Sequence, residues 1–182
     1  IDSVVQDGFL GGFLAGSWLA DRGHRRAGWI GPATTSRQGS ERFGGAYAAL
    51  AERGVEMPAE LRLRLPDGIP ERVRLVREYL SRPDRPRAIL TLWQGISSVV
   101  ARAARELNLA PGRDFDMIGW STEGDYQGEF LPNFTGGPVP PAVLWDVDRL
   151  ARAAVARLAE RRADPTLPPM MIKIPTRLKL AD

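Results

Sequence analysis

The chain has no cysteine and a single histidine, His24. Without thiols there is no disulfide, no thiolate nucleophile and no cysteine metal site, a usage that fits a reducing compartment and points to the cytoplasm. One histidine leaves a zinc site short of ligands and gives general acid–base chemistry little to work with. Long hydrophobic runs are missing too: nothing approaches the roughly 18 apolar residues of a membrane span. The apolar opening, Phe9 to Leu19, has no basic flank before it and no clear cleavage site, so it does not read as an export signal. Charge of one sign does not dominate. The net charge is +3, and the arginines are scattered rather than gathered into one basic arm, a weak signal for nucleic acid. There is no Gly-x-Ser-x-Gly elbow, no phosphate loop and no Gly-x-Gly-x-x-Gly, since "GFLGG" at Gly8 to Gly12 lacks that spacing. The expectation is a protein that is not an enzyme, with no cofactor and no metal.

What is present is a globular composition: 182 residues, 43% hydrophobic and 26% charged, enough for one domain or two small lobes. The chain opens at Ile1, as though a strand were entered midway, and reads as a fragment or as the ordered part of something longer.

Val4 and Val5 form a short strand ended by Asp7-Gly8. Phe9/Leu10, Phe13/Leu14 and Trp18/Leu19 recur at helical spacing, and Gly23 stops that helix. Ala27 to Ile30 is a buried strand, followed by the polar loop "ATTSRQGSE". Ser40 caps a helix running to about Arg53. Leu61, Leu63 and Leu65 alternate with Arg62 and Arg64, a strand with one wet face. Pro66-Asp67-Gly68 is a turn, and Pro70 opens a helix to about Leu80. Arg87 to Trp93 is a strand and Ile96 to Leu107 a helix, on which Val99 and Val100 serve either an interface or plain core packing. Phe115 to Ser121 is a strand, then comes a polar loop. Pro132 to Pro141 is irregular, a last helix spans Val143 to Arg161, and Met170 to Ile174 ends the series. Strands alternating with helices predict an α/β fold, a parallel sheet flanked by helices on both faces. Ligands in such folds bind beyond the carboxyl ends of the strands. Here those ends are the loops at Ser36 to Arg42, Pro66 to Gly68, Trp93-Gln94 and Trp120 to Tyr126.

The stretches "DRGHRRAGWIGP", "SERFGGAYAAL" with "RGVEMP", "RPRAIL", "ELNLAPGRDFDMIGW" and "FLPNFT" occur in an order and spacing that resembles the effector-binding region of the lactose-repressor-like (LacI/GalR) transcription regulators. The resemblance implies a periplasmic-binding-protein-like fold of type I, mainly its C-terminal lobe. It divides the chain into a strand of the first lobe or crossover at 1–7, the second lobe at 8–136, and a crossover, first-lobe helix and terminal strand at 137–182. The helix-turn-helix and most of the first lobe would lie outside this chain. His24 then marks a structural junction, where it or a neighbouring arginine meets the exposed carbonyls of the helix that Gly23 ends.

The resemblance also implies a ligand site. Arg42 matches the arginine that reaches the effector, a planar fork suited to two hydroxyls or a carboxylate. Ser36 and Gln38 precede it and either orient hydroxyls or are ordinary loop polarity. Trp93 and Gln94 stand where many relatives have Asn-Asp; Trp93 either stacks on a ligand ring or is a core aromatic. Ser121 replaces an aspartate that usually accepts hydrogen bonds from the effector, and Val139 replaces a polar contact. Asp67 either compensates for the lost carboxylate or is a turn residue. The implied function is sensing of a small molecule, a sugar or related metabolite, in an interlobe cleft. Lobe closure would be coupled to operator DNA through a headpiece outside this chain, in a homodimer, with no membrane. The alternative is a periplasmic solute-binding protein of a sugar transporter.

Overall fold

The structure is a computed structural model and describes residues 1–34 and 36–180. Thr35, in the loop expected before the second helix, and residues 181–182, at the end of the expected last segment, lie outside the described residues.

Helices and strands alternate as the sequence predicts: β1 Ser3–Gln6, α1 Gly8–Asp21, β2 Gly28–Pro32, α2 Arg37–Glu52, β3 Arg62–Leu65, α3 Ile69–Ser81, β4 Ala88–Leu90, α4 Gln94–Glu106, β5 Asp116–Thr122, β6 Ala142–Trp145, α5 Val147–Ala163, β7 Met171–Ile174 and β8 Arg177–Lys179. Six strands form one sheet in the order β3-β2-β4-β5-β6-β8, and β1 pairs with β7 in a separate two-stranded sheet. All pairs are parallel except β6 with β8.

A strand sends successive side chains to opposite faces, and here both faces are buried, the usual state of a parallel sheet. Ile30, Ile89 and Met117 join Val76, Leu80 and Val100 of α3 and α4 in one core. Trp29, Leu90, Ile118 and Trp120 join Leu19 and Leu50 of α1 and α2 in the other. The α1–α2 pair approaches closely because it is notched with glycine. A Cβ at Gly12 would sit 2.0 Å from the Arg42 carbonyl oxygen, and one at Gly45 2.0 Å from that of Phe9.

Several boundaries differ from the sequence reading. The second helix is capped by Ser36, whose Oγ accepts from Gly39 N at 3.1 Å, so Ser40 lies inside the helix. "AVLW" is strand β6 rather than the start of the last helix. Asp146 accepts from Arg149 N at 2.9 Å and so sets the helix start at Val147. The polar segment after β5 holds a π-turn, Tyr126–Phe130, and a 3-10 turn, Leu131–Phe134. Their rings pack in series, Tyr126 stacked on Phe130 at 5.5 Å and Phe130 tilted against Phe134 at 5.0 Å, and Phe130 fits because Gly119 has no side chain. Val99 and Val100 are core residues, 6% and 0% exposed, which removes them from any interface. Strand β8 was not foreseen. Arg157, 5% exposed, ties α5 to the chain's start through Asp2 at 2.8 Å, while Val155 and Leu158 on the same helix stand exposed.

Candidate functional site

The carboxyl ends of β2, β4 and β5 meet the amino ends of α1, α2 and α4, and Arg42 lies where they converge. It sits on the second turn of α2 and is 4% exposed. Its guanidinium carbon is 3.9 Å from the centre of the Trp120 ring and 5.2 Å from that of Trp93. Nη1 donates to the Leu92 carbonyl at 2.5 Å, and Nε is buried without a partner. No carboxylate among the described residues pairs with it. The adjacent Glu41 turns instead to Arg37 at 3.3 Å and Lys173 at 3.7 Å. Burial pulls the Arg42 pKa down to about 10, so the group stays cationic at neutral pH. Glycines open this space. A Cβ at Gly11 would meet Trp120 at 2.6 Å, and Cβ atoms at Gly31 and Gly39 would meet Trp93 at 3.2 and 3.1 Å.

Gln94 and Ser121 are also brought together. Ser121 Oγ donates to Gln94 Oε1 at 3.3 Å, and Gln94 Nε2 donates to Glu129 Oε2 at 2.5 Å. Ser121 follows Trp120 on β5 and therefore faces the other side of the sheet from Arg42. Ser36 uses its hydroxyl as the α2 cap, and Gln38 is exposed on that helix's first turn. Asp67 is fully exposed and paired to Arg72 at 3.1 Å beside Gly68, which has φ +100°. Its geometry is that of a turn, and it does not reach Arg42. Val139 packs against the α3–α4 core.

Trp120 and Glu129 were not counted as site residues. Strand parity carries a signal for Trp120, because it shares a face with Ile118 and hence with α2. Nothing local marks Glu129. A cavity of about 220 Å³ flanks the site under the first turns of α2, walled by Trp29, Phe43, Arg62, Arg64 and Trp93.

His24 sits at the opposite end of the sheet. Its Nε2 lies 2.7 Å from Asp116 Oδ2, and Arg22 Nε donates to the same oxygen at 2.8 Å. The junction is structural, but the partner is the first residue of β5 rather than the helix carbonyls. Those are met by the backbone N–H groups of Arg22 and Gly23, whose φ is +80°. Burial works to raise the Asp116 carboxyl, and the hydrogen bonds from Arg22 and His24 outweigh it, leaving the group below its ordinary range. No group of three His, Cys, Asp or Glu among the described residues could hold a metal ion, and no helix is long and apolar enough to cross a membrane.

A mostly parallel sheet of this topology, flanked by helices on both faces, is that of the periplasmic-binding-protein-like class. The chain belongs to the family described as periplasmic binding protein-like domain, which matches residues 17–180. It is 29% identical over 178 residues to the HTH-type transcriptional repressor PurR of Escherichia coli O139:H28 (strain E24377A / ETEC), covering 97% of this chain and 50% of that protein. The chain thus spans about half the length of the curated relatives it matches. Among solved structures it is similar to a regulatory protein of LacI family from Chloroflexus aggregans, with a TM-score of 0.84 at 23% identity, covering 100% of this chain and 63% of that one. It is also similar to a LacI family transcriptional regulator from Enterococcus faecium with bound ribose, with a TM-score of 0.79 at 19% identity, covering 99% and 64%. Fold and family agree with the resemblance read from the sequence, an effector-binding region of the LacI type.

Proposed function

We propose that this chain is the small-molecule-sensing region of a LacI-type transcriptional regulator. The carrying observation is Arg42, a buried cation with an unpartnered Nε donor and, among the described residues, no carboxylate partner, lodged between two indoles at the carboxyl edge of the sheet. A guanidinium so placed suits a hydroxyl-rich or carboxylate ligand. The ligand would be a sugar or related metabolite, held between this lobe, residues 8–136, and a second lobe to which residues 1–7 and part of 137–182 contribute. Ser36, Gln38, Asp67, Trp93, Gln94 and Ser121 are its proposed further contacts, and Trp93, half-buried over Arg42, must shift for a ligand to reach the guanidinium. A ligand that prefers one closure state biases the two-state equilibrium. In a cytoplasmic homodimer that bias would be transmitted to operator DNA through a headpiece. The regulator names and bound ribose of similar proteins favour this over the transporter reading, and the relatives named are not enzymes.

The test is a calorimetric titration of the protein with ribose and a panel of monosaccharides, repeated with Arg42→Met. Saturable binding to at least one sugar, lost in the variant, supports the proposal. Binding that survives Arg42→Met, or none across the panel, refutes the site as drawn.

A further inference from the structure

The alternation of Leu61, Leu63 and Leu65 with Arg62 and Arg64 gives β3 one apolar and one cationic face. The register pairs Arg62 with Trp29 and Arg64 with Gly31 of β2, so the cationic face of β3 continues the Trp29 face and runs beneath α2. The result is the cavity of about 220 Å³ flanking Arg42. Its aromatic walls stand edge to face: Trp29 with Phe43 at 5.1 Å and 87°, and Trp29 with Trp93 at 5.6 Å and 85°. Arg62 is already engaged, stacking 5.1 Å from Phe43 and donating through Nε to the Met57 carbonyl at 2.9 Å. Arg64 has neither a hydrogen bond nor an ion pair among the described residues. Among the described residues no acidic side chain lines the cavity, and the amino end of α2 adds partial positive charge. The volume lies below the roughly 300–1,000 Å³ of sites for drug-sized ligands and suits a single ring.

We propose that this cavity binds a flat, single-ring carboxylate, its ring against Trp29, Phe43 and Trp93 and its carboxylate on Arg64. The site goes beyond the cleft described above. It is complete within one lobe and shares only Ser36 and Trp93 with the proposed cleft contacts.

The test is ligand-observed NMR titration of the protein with benzoate, with benzyl alcohol (a ring without charge) and with acetate (charge without a ring). Benzoate binds measurably tighter than either. A charge-assisted hydrogen bond lost in Arg64→Gln weakens benzoate about tenfold or more, Arg64→Lys retains most of the affinity, and Gln94→Ala in the cleft changes nothing. Arg64 is exposed, so these variants fold. Equal affinity for benzyl alcohol or acetate, or benzoate binding unchanged in Arg64→Gln, overturns the proposal, and an equal loss in Gln94→Ala moves the ligand into the cleft and overturns it as well. Sugar titration of Arg64→Gln is read separately, so failure here leaves the cleft function standing and failure there leaves this site standing.

Discussion

Arg42→Met separates a binding role from a structural one, because the terms that hold this arginine nearly cancel. A charge-assisted hydrogen bond such as that to the Leu92 carbonyl is worth about 1.5–3 kcal/mol. A desolvated cation–π contact such as that with Trp120 at 3.9 Å adds about 2 kcal/mol. Against them stands burial of the charge. A pKa pulled down by burial to about 10 represents about 3 kcal/mol, at about 1.4 kcal/mol per pH unit. Methionine keeps most of the stem and sets a thioether against the indoles. The expected net loss is therefore about 1 kcal/mol, a fall in Tm of about 2–4 °C for a domain of this size. Sugar affinity should fall at least about tenfold, the smaller value of the charged hydrogen bond. Thermal melts without ligand give the first number and calorimetry the second. A variant that loses more than about 4 kcal/mol, or that fails to fold, would refute the near-cancellation and make Arg42 a structural keystone.

The glycine notch between α1 and α2 is a second target. Gly12→Ala drives a methyl to 2.0 Å from a backbone oxygen, so denaturant unfolding should show a loss of at least about 1–3 kcal/mol, and an unchanged midpoint would mean the helices shift apart freely. Asp116→Asn tests the junction at His24. A carboxyl held below its ordinary value contributes stability above the unfolded pKa of about 3.9 and loses it as pH falls through the folded value. The wild type should exceed the variant in Tm at neutral pH and the two should converge in acid, whereas a gap independent of pH contradicts the ion pair. Arg157→Met frees Asp2 and the Pro168 carbonyl, to which it donates at 2.8 and 2.6 Å. Hydrogen exchange should then accelerate in β1 and β7 with the six-stranded sheet unaffected, and uniform acceleration would show that the two sheets unfold as one unit.

The sequence makes the alternation of elements legible because each helix carries its own periodic apolar face and each buried strand its own short apolar run. It is ambiguous where two local signals compete. Ser36 and Ser40 are both competent caps, and only the first has Gly39 placed to donate to it. "AVLW" is too short to show a period, and its strand state follows from the vacant edge beside β5 and from Asp146 capping the helix behind it. The site is less legible for a related reason. Strand parity says that Trp120 and Ser121 face opposite sides, yet the resemblance alone gathers Arg42 and Ser121 into one contact set. Asp67 shows the reverse case, where turn chemistry readable in Pro-Asp-Gly is what the structure displays, in the pair with Arg72 beside Gly68.

The arginines of β3 extend the same point to energetics. Period two announces two unlike faces but not which of them is roofed. In an edge strand of a parallel sheet the cationic face would ordinarily meet water, where Arg62 and Arg64 cost nothing. Both stay exposed here too, but Phe43 of α2 packs on Arg62 at 5.1 Å and borders the cavity together with Trp29. Arg62 satisfies itself on the Met57 carbonyl and the Phe43 ring, while Arg64 lines the cavity exposed, its side chain without a hydrogen bond or ion pair among the described residues. An apolar residue at 64 would let α2 close onto the strand, as it closes onto β2 through the Trp29–Phe43 contact. If the Arg64 side chain sets both the volume of the cavity and the proposed anion binding, both should change together in Arg64→Leu: benzoate binding lost, and thermal stability raised as α2 packs down. Lost binding with lower stability would show that the cavity is held open by the α2 cap and the glycines around Trp93, independent of the arginine.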